Sequence, residues 1–396
     1  MQPDLPETYY LDNVVTLFAH VERVYADILD AEQLGFLRRF SELGDDASKL
    51  CIRLLNRSHD CYRRSKLNYR EIESLDDAIA QLAQCGLIEL NGKLEYSDLL
   101  KLYTLPELRA QLGADPTPAV PAKLRRGELE AWLLEHGDTT FFERLREADQ
   151  LLQLRCRDQY QLCQMLFFGN LNQSMTDFVL SDLGLYQYEN YPVDPQHRPY
   201  RNAVEIQQHW LLYQLQTLFE LSDASDPAQL RELCQLIPSD IERQAPGFRK
   251  SEQLRYEIAR QLERLGELKT AARQYRQCLL PPSRERRARI HAQRGQNRKA
   301  LALCARIIEQ PLDDAELQFA CQFALRLCRR HGFAALEQAT QLRITHQPEI
   351  VALELDYRDS VELAVAEHYN ATDTDGVCRY VENSLFNGVL GLLLWE

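Results

Sequence analysis

The pattern of apolar and polar positions in the first hundred residues is that of several amphipathic helices. One apolar stripe lies within residues 50–55, with basic residues largely on the other side. Gly86 predicts the end of a later helix, because glycine readily adopts the left-handed conformation. Two alternating segments around Asn91-Gly92 predict a β-hairpin. Helices followed by one hairpin predict a winged-helix-like module over residues 1–98, a type of module that binds either DNA or proteins.

The next segment, residues 99–138, predicts a pair of helices. Thr104 and Glu107 form a capping-box pattern with a proline between them, which marks the start of the first helix. The second helix has basic residues at its start and an apolar side after them. This arrangement is similar to a SAP motif, a two-helix DNA-binding fold, although an ordinary helical hairpin with solvated arginines fits the same pattern. Residues 139–243 predict an irregular helical connecting region.

Residues 244–372 carry an irregular repeat. Gly266 and Gly295 are 29 residues apart and Gly332 follows 37 residues later, each close to small residues at helical spacing. A glycine between paired helices is typical of tetratricopeptide-like repeats, which usually bind proteins. The fold class we predict is therefore mainly α.

Composition restricts the function classes. The chain has 396 residues, 45% of them hydrophobic, which is typical of a globular protein. No apolar run is long enough to span a membrane, and the first residues do not resemble a signal peptide. The eleven cysteines include no Cys-x-x-Cys pair, which predicts reduced thiols in the cytoplasm and no zinc site.

Charge is unevenly distributed along the chain. The net charge is -13, yet residues 249–306 hold sixteen Lys or Arg against five Glu, and residues 49–70 hold seven against one Asp. Basic segments in an acidic protein predict the binding of a polyanion in a defined orientation. The candidate DNA-binding residues are Arg53, Arg57, Arg63, Arg64, Lys66, Lys123, Arg125, Arg126, Arg284, Arg286, Arg287 and Arg289.

Common catalytic motifs are missing from the sequence. It contains no Gly-x-Gly-x-x-Gly, Walker, Gly-x-Ser-x-Gly or His-Glu-x-x-His pattern, which argues against the usual nucleotide-binding, hydrolase and zinc-protease classes. Residues 373–376, followed by Glu382, resemble part of an EF-hand loop. The first carboxylate of that loop is replaced by Ala371, so we expect the loop to bind calcium very weakly.

The carboxyl-terminal segment, residues 381–395, resembles the Fanconi-associated nuclease family. Residues 8–11, 53–72 and 166–171 resemble it too, in the same order along the chain. The resemblance is greatest to bacterial members. It implies an N-terminal helical domain, a SAP motif, tetratricopeptide-like repeats and the first helix of a PD-(D/E)xK α/β nuclease domain (VRR-NUC) at 373–396.

The resemblance also implies an activity and its site. Members of the family are metal-dependent nucleases that cut 5′-flap DNA near the junction and help to unhook interstrand crosslinks. By motif, Glu382 corresponds to the first carboxylate that binds Mg²⁺ or Mn²⁺, and the other ligands are expected downstream of Glu396, in a further part of the protein. In animal members a basic pocket in the repeats takes the 5′ phosphate, and Arg284–Arg289 lie near the matching region.

Two readings follow for the partners of this chain. In the first, it is the scaffold that holds branched DNA, meaning 5′-flap and crosslinked duplex, for a nuclease that acts in the bacterial cytoplasm at the nucleoid. The alternative is a non-enzymatic tetratricopeptide-type adaptor that binds proteins, in which the basic segments are simply solvated. A calcium-sensing protein is a third, weaker reading that rests on the defective loop alone.

We predict that the 1–396 chain alone does not cleave DNA, because one carboxylate cannot hold the metal ions that activate water and stabilise the leaving oxygen. The measurement is incubation of rigorously purified protein with labelled 5′-flap DNA and Mn²⁺. A clean, metal-dependent cut near the junction would contradict this prediction.

Overall fold

The structure is a computed structural model that describes residues 9–112, 123–173, 194–342, 350–353, 360–372, 376–381 and 384–394. Two compact units divide the chain, Met1–Ala300 and Leu301–Glu396. The described residues are mainly helical with one three-stranded sheet, which confirms the predicted fold class.

The elements up to residue 168 are α1 (Tyr9–Tyr25), α2 (Ala31–Ser41), α3 (Asp45–Leu55), β1 (Cys61–Arg63), α4 (Leu75–Gln84), β2 (Ile88–Leu90), α5 (Tyr96–Lys101), α6 (Leu105–Gln111), α7 (Arg126–His136), α8 (Thr139–Glu147), β3 (Leu151–Leu154) and α9 (Arg157–Phe168). The later helices are α10 (Ala203–Leu221), α11 (Pro227–Leu236), α12 (Phe248–Arg264), α13 (Leu268–Gln277), α14 (Ser283–Gln293), α15 (Asn297–Glu309), α16 (Asp314–His331), α17 (Glu337–Gln341), α18 (Val361–Thr372) and α19 (Ser384–Leu394).

Helices α1 to α4 and α9 share the first apolar core. The stripe predicted within residues 50–55 is buried there, and α1 contributes one continuous apolar side. Phe18 packs edge-on against Phe36 and Phe40 of α2, with ring centroids 5.4 and 4.8 Å away. Edge-to-face rings add stabilisation beyond the area they bury, so this contact fixes α2 against α1.

The sheet has the strand order β1-β3-β2, and both pairings are antiparallel. Leu152 at the centre of β3 pairs with Tyr62 on one side and with Leu90 on the other. The middle strand of the N-terminal sheet is therefore residues 151–154, which lie more than sixty positions after β2.

The predicted hairpin around Asn91-Gly92 is wrong in its pairing. Asn91 does adopt a positive φ of 51°, but the chain then enters α5 and forms no returning strand. The backbone N–H of Asn91 donates to the carbonyl of Leu151 (2.8 Å), and the N–H of Leu151 donates to Asn91 Oδ1 (2.9 Å). Asn91 thus fastens the turn to β3, and Leu94 packs into a different core.

Helices α5 to α8 enclose a second core, to which β3 contributes Leu151. The capping box predicted at Thr104 and Glu107 is present at the start of α6, and the predicted basic-headed helix is α7. Leu108 of α6 and Leu129 and Leu133 of α7 are fully buried. Residues 113–122, in the loop that joins α6 to α7, lie outside the described residues.

The long helix α10 belongs to two cores. Ile206 near its start packs into the first core, whereas Leu212 and Leu215 pack with α11, α12 and α13 in a third one. Gly247, just before α12, approaches α10 closely, since a Cβ at this position would lie 3.4 Å from the Cα of His209. This close approach ties α12 to the middle of α10.

The glycines that mark the predicted repeat end helices as expected. Gly266 follows α12 with φ +82° and Gly295 follows α14 with φ +71°. At both sites the next residue donates its N–H back into the helix, from Glu267 to Leu262 and from Gln296 to His291. Such helix ends require a left-handed residue, which explains the recurrence of glycine 29 positions apart.

In the second unit, α16 is the longest described helix and α17 packs against it. Gly332 ends α16 with φ +68°. Helix α19, in the segment that resembles the start of a nuclease domain, has an apolar surface that is largely exposed, including Phe386 at 78%.

We predict opposite effects for Gly266→Ala and Gly127→Ala. A Cβ meets nothing within 4 Å at either site, so the outcome depends on the backbone alone. Alanine at Gly266 would have to hold φ near +82° and should destabilise the protein by about 1 kcal/mol. Gly127 lies inside α7, where alanine should stabilise by about 0.5–1 kcal/mol.

The measurement is the urea dependence of unfolding for both variants. Equal midpoints for the two would contradict the left-handed helix end at Gly266.

Candidate nucleic-acid interface

The first predicted basic residue, Arg53, lies on the half-buried side of α3. Its Nε donates to Glu71 Oε1 at 2.7 Å, and its guanidinium lies 4.1 Å above the ring of Tyr10. Tyr10 also donates its hydroxyl to Glu71, at 3.3 Å. The charge of Arg53 is therefore largely compensated, and its planar group lies on an aromatic surface.

Arg57 lies in the turn that follows α3 and is half-buried. Its guanidinium carbon is 5.6 Å from the ring centroids of both Tyr62 and Tyr69. Among the described residues no carboxylate pairs with it. Cation–π contacts leave the outward N–H groups of an arginine available, so Arg57 can still donate to a phosphate.

Arg63 on β1 is nearly buried, with 10% of its side chain exposed. It pairs with Glu107 (Nη1 to Oε1, 2.9 Å) and with Asp149 (Nε to Oδ2, 3.0 Å), and its guanidinium stacks 4.0 Å from the ring of Tyr103. These contacts connect β1 to α6 and to the segment before β3. We conclude that Arg63, a predicted DNA-binding residue, has all its charge engaged within the fold.

The pKa values of the two carboxylates reflect this network. A hydrogen bond from the backbone N–H of Thr104, with help from Arg63 and Lys66, lowers the pKa of Glu107 from 4.5 to about 2. Burial alone would raise the pKa of Asp149, but hydrogen bonds from Ser65 and Arg63 outweigh it and lower that pKa. Both groups are therefore held as carboxylates at neutral pH.

A cavity of about 600 Å³ opens beside this network. Its basic lining residues are Arg57, His59, Arg63, Lys66 and Lys101. Two acidic residues also line it, Asp98, which pairs with Lys101 at 2.8 Å, and Asp60, which pairs with Arg157. Because most of the cations have a carboxylate partner, the surplus positive charge in the cavity is that of Arg57.

The neighbouring predicted residues Arg64 and Lys66 lie on the short 3-10 turn after β1. Arg64 pairs with Asp76 at 2.7 Å, where 79% of the Asp76 side chain is exposed. Lys66 is exposed and lies 3.1 Å from the same Glu107 oxygen that Arg63 uses. Exposed ion pairs are worth at most about 1 kcal/mol, so both side chains can exchange their partner for a phosphate.

Three predicted residues lie together at the start of α7. Lys123 and Arg125 are exposed. Arg126 instead donates to Glu130 (2.6 Å) and to the carbonyl of Leu100 (3.0 Å). Cations at a helix N-terminus oppose the helix dipole, and an anion bound there would relieve that repulsion.

The arginines predicted in the repeat region lie on α14. Arg286 forms a two-bond ion pair with Glu263 of α12, which also accepts the hydroxyl of Tyr275 at 2.9 Å. Arg289 pairs with Glu285 at 2.8 Å. Arg284 and Arg287 are half-buried and also make contacts. Arg286 thus joins α14 to α12, a structural role that the sequence did not indicate.

The predicted metal ligand, Glu382, lies outside the described residues, as do residues 373–375 of the EF-hand-like loop. In the described part of the chain, no group of three or more His, Cys, Asp or Glu could hold a metal ion. The eleven cysteines, all within the described ranges, are free thiols.

The partners of the basic residues were not predicted from the sequence. Glu71, Glu107 and Asp149 determine which arginines remain available, and Tyr62 and Tyr69 position Arg57. Glu107 was visible only as a helix-capping residue. Asp149 is 86 positions away from Arg63, so no local spacing could have revealed that pair.

The sequence of this chain is similar to that of known proteins. The domain family described as "FAN1, HTH domain" matches residues 8–89. A Fanconi-associated nuclease 1 homologue from Pseudomonas aeruginosa is 31% identical over 407 residues, which cover 100% of this chain and 69% of that relative. A homologue from Oryza sativa subsp. japonica is 26% identical over 227 residues, 53% of this chain and 23% of the relative.

The solved structures agree with the sequence matches. The crystal structure of paFAN1 bound to 2-nt 5′-flap DNA with a gap superposes with a TM-score of 0.80 at 28% identity, covering 100% of this chain and 71% of that one. These features define a mainly helical protein with an N-terminal helix-turn-helix domain. The chain belongs to the Fanconi-associated nuclease family. None of its described helices combines the length and the apolar character of a membrane span.

We predict that Glu107→Gln destabilises the protein at pH 7 by about 1–2 kcal/mol, because Arg63 and Lys66 lose a charged partner. The folded pKa lies below 4.5, so the stabilisation is complete above pH 4.5 and is lost as the pH falls towards 2. The variant should therefore lose less stability than the parent between pH 4.5 and pH 2.

Urea midpoints measured from pH 7 to pH 2 test this. Asp98→Asn, at an exposed pair, is the matched control and should change stability by less than about 0.5 kcal/mol. Parallel pH profiles for Glu107→Gln and the parent would contradict the network.

Proposed function

We propose that this chain is the DNA-holding part of a repair nuclease that acts on 5′-flap DNA. The observation that supports this most directly is the superposition of the whole chain on paFAN1 bound to 5′-flap DNA, at a TM-score of 0.80. The Pseudomonas aeruginosa relative supports the nuclease class over the full length of the chain. On this proposal, the basic residues bind phosphates and select shape, without reading sequence.

The candidate residues differ in how readily their side chains can bind a phosphate. Arg57 has no described carboxylate partner, Lys66 has a weak one, and Lys123 and Arg125 are exposed at the start of α7. We assign the main phosphate contacts to these four. Arg53 and Arg64 would join by exchanging partners, whereas Arg63, Arg126 and Arg286 act mainly by holding the elements in place.

The chemistry of cleavage is a separate part of the proposal. We propose hydrolysis that depends on Mg²⁺ or Mn²⁺, with Glu382 as one of the metal ligands, and the unhooking of crosslinks as one outcome in the cell. Such ions activate the attacking water and stabilise the leaving oxygen. The SAP-like pair α6–α7 and the tetratricopeptide-like helices α12–α15 would align the duplex and the flap.

The test is fluorescence-anisotropy binding of the 1–396 chain to a 5′-flap and to a matched blunt duplex across a salt series. We expect preference for the flap and a steep fall in log affinity with log salt, because several phosphates are neutralised. Equal, weak binding to both that vanishes near physiological salt would favour the protein-binding adaptor instead.

We predict that Arg57→Ala and the double variant Lys123→Ala, Arg125→Ala weaken binding to flap and duplex alike. Each lost phosphate contact should lower the salt slope by about 1. The control is Arg38→Ala, which removes the same charge from an exposed site on α2 outside the cavity.

The measurement is the salt dependence of DNA affinity for all three variants. A parental salt slope for Arg57→Ala would show that Arg57 does not contact the DNA.

A further inference from the structure

The loop between α13 and α14 exposes two leucines side by side. Leu279 is 42% exposed and Leu280 is 41% exposed. Pro281 and Pro282 complete the loop and are half-buried. We call residues 279–282 the apolar loop. Burial of exposed leucine side chains against a partner lowers the free energy, because it removes apolar surface from water.

The backbone of the apolar loop is firmly held. Glu252 of α12 is 6% exposed, and its Oε2 accepts the backbone N–H groups of both Leu279 and Leu280, the second at 3.1 Å. A buried carboxylate is tolerated only when it is hydrogen-bonded, so these two bonds fix the loop to α12. Cys278 before the loop and Ser283 after it are also buried. The two leucine side chains therefore project from a rigid support.

The segment around the apolar loop is basic, and a surplus of positive charge remains after Arg286 and Arg289 are paired with Glu263 and Glu285. Helices α13 and α14 and the loop between them, residues 268–293, hold seven Lys or Arg and one Glu. Arg276 lies in the last turn of α13, and Arg284 follows the loop in the first turn of α14. An apolar tip in a basic surround is complementary to nucleic acid at a point where a base face is exposed.

We infer that the apolar loop packs on the terminal base pair at a DNA branch. This inference rests on the proposed function, because it needs a chain that binds flap DNA. In a continuous duplex every base pair is stacked on both sides, whereas a branch exposes one face of the terminal pair. Leucine and proline side chains cover or unstack base faces in other DNA-bending proteins. The preorganised loop would do so at small entropic cost.

A matched control is available on α10. Leu218 and Leu221 are also exposed, at 52% and 79%, but Glu220 lies between them and no cluster of cations surrounds them in sequence. Removing these side chains deletes a similar apolar area from a surface without charge complementarity to DNA.

The experiment compares Leu279→Ala, Leu280→Ala with Leu218→Ala, Leu221→Ala in the 1–396 chain, with EDTA present. The probes are a 5′-flap with 2-aminopurine in the terminal pair beside the branch, and a continuous duplex with the same base. Binding of the parent to the flap should change the 2-aminopurine fluorescence, because the loop alters the surroundings of the terminal base. The loop variant should lose this change and about fivefold or more of the flap preference, with unchanged duplex affinity. The α10 variant should behave like the parent.

The outcomes separate this inference from the proposed function. If the parent prefers the flap and the loop variant keeps both the preference and the fluorescence change, the apolar loop does not contact the branch. A loop variant that binds flap and duplex equally less well would also overturn the inference. A parent chain without DNA affinity would overturn the proposed function itself. Thermal unfolding of each variant confirms that it is folded.

Discussion

The ion network of Arg63 is the contact on which the N-terminal half of the molecule depends. One nearly buried guanidinium joins β1 to Glu107 at the start of α6 and to Asp149 before β3. Strands β1 and β3 both line the cavity. A buried cation without its carboxylates would be costly, so the network disfavours arrangements of sheet and helices that separate these groups. The same network holds Lys66 at the cavity, because Lys66 shares Glu107 with Arg63.

Local rules predicted the helix boundaries well, because the interactions that end a helix lie within a few residues of each other. Gly86, Gly266 and Gly295 were predicted as helix ends and all have positive φ. The same local reasoning failed for the sheet. The Asn91-Gly92 turn was identified, but the strand that pairs with β2 lies at 151–154, and nothing near the turn distinguishes that partner from the segment immediately following.

The candidate site was predicted as a charge surplus and not as a geometry. Residues 49–70 contain seven cations and one Asp. The carboxylates that pair with Arg53 and Arg64 nevertheless lie outside this segment, at Glu71 and on α4. Partner choice is set by tertiary packing, and a count along the sequence treats every cation as equal. The candidate residues to which we assign the main phosphate contacts are fewer, and they lie in two places, the cavity and the start of α7.

Helix α10 carries a consequence for how such a protein can be divided. Its first half completes the core of the helix-turn-helix domain through Ile206, and its second half completes the next core through Leu212 and Leu215. A fragment that ends within this helix would leave one core without the side chains that α10 contributes to it. In gene rearrangement or in domain exchange between relatives, α10 would therefore have to be inherited whole, together with both of its neighbours.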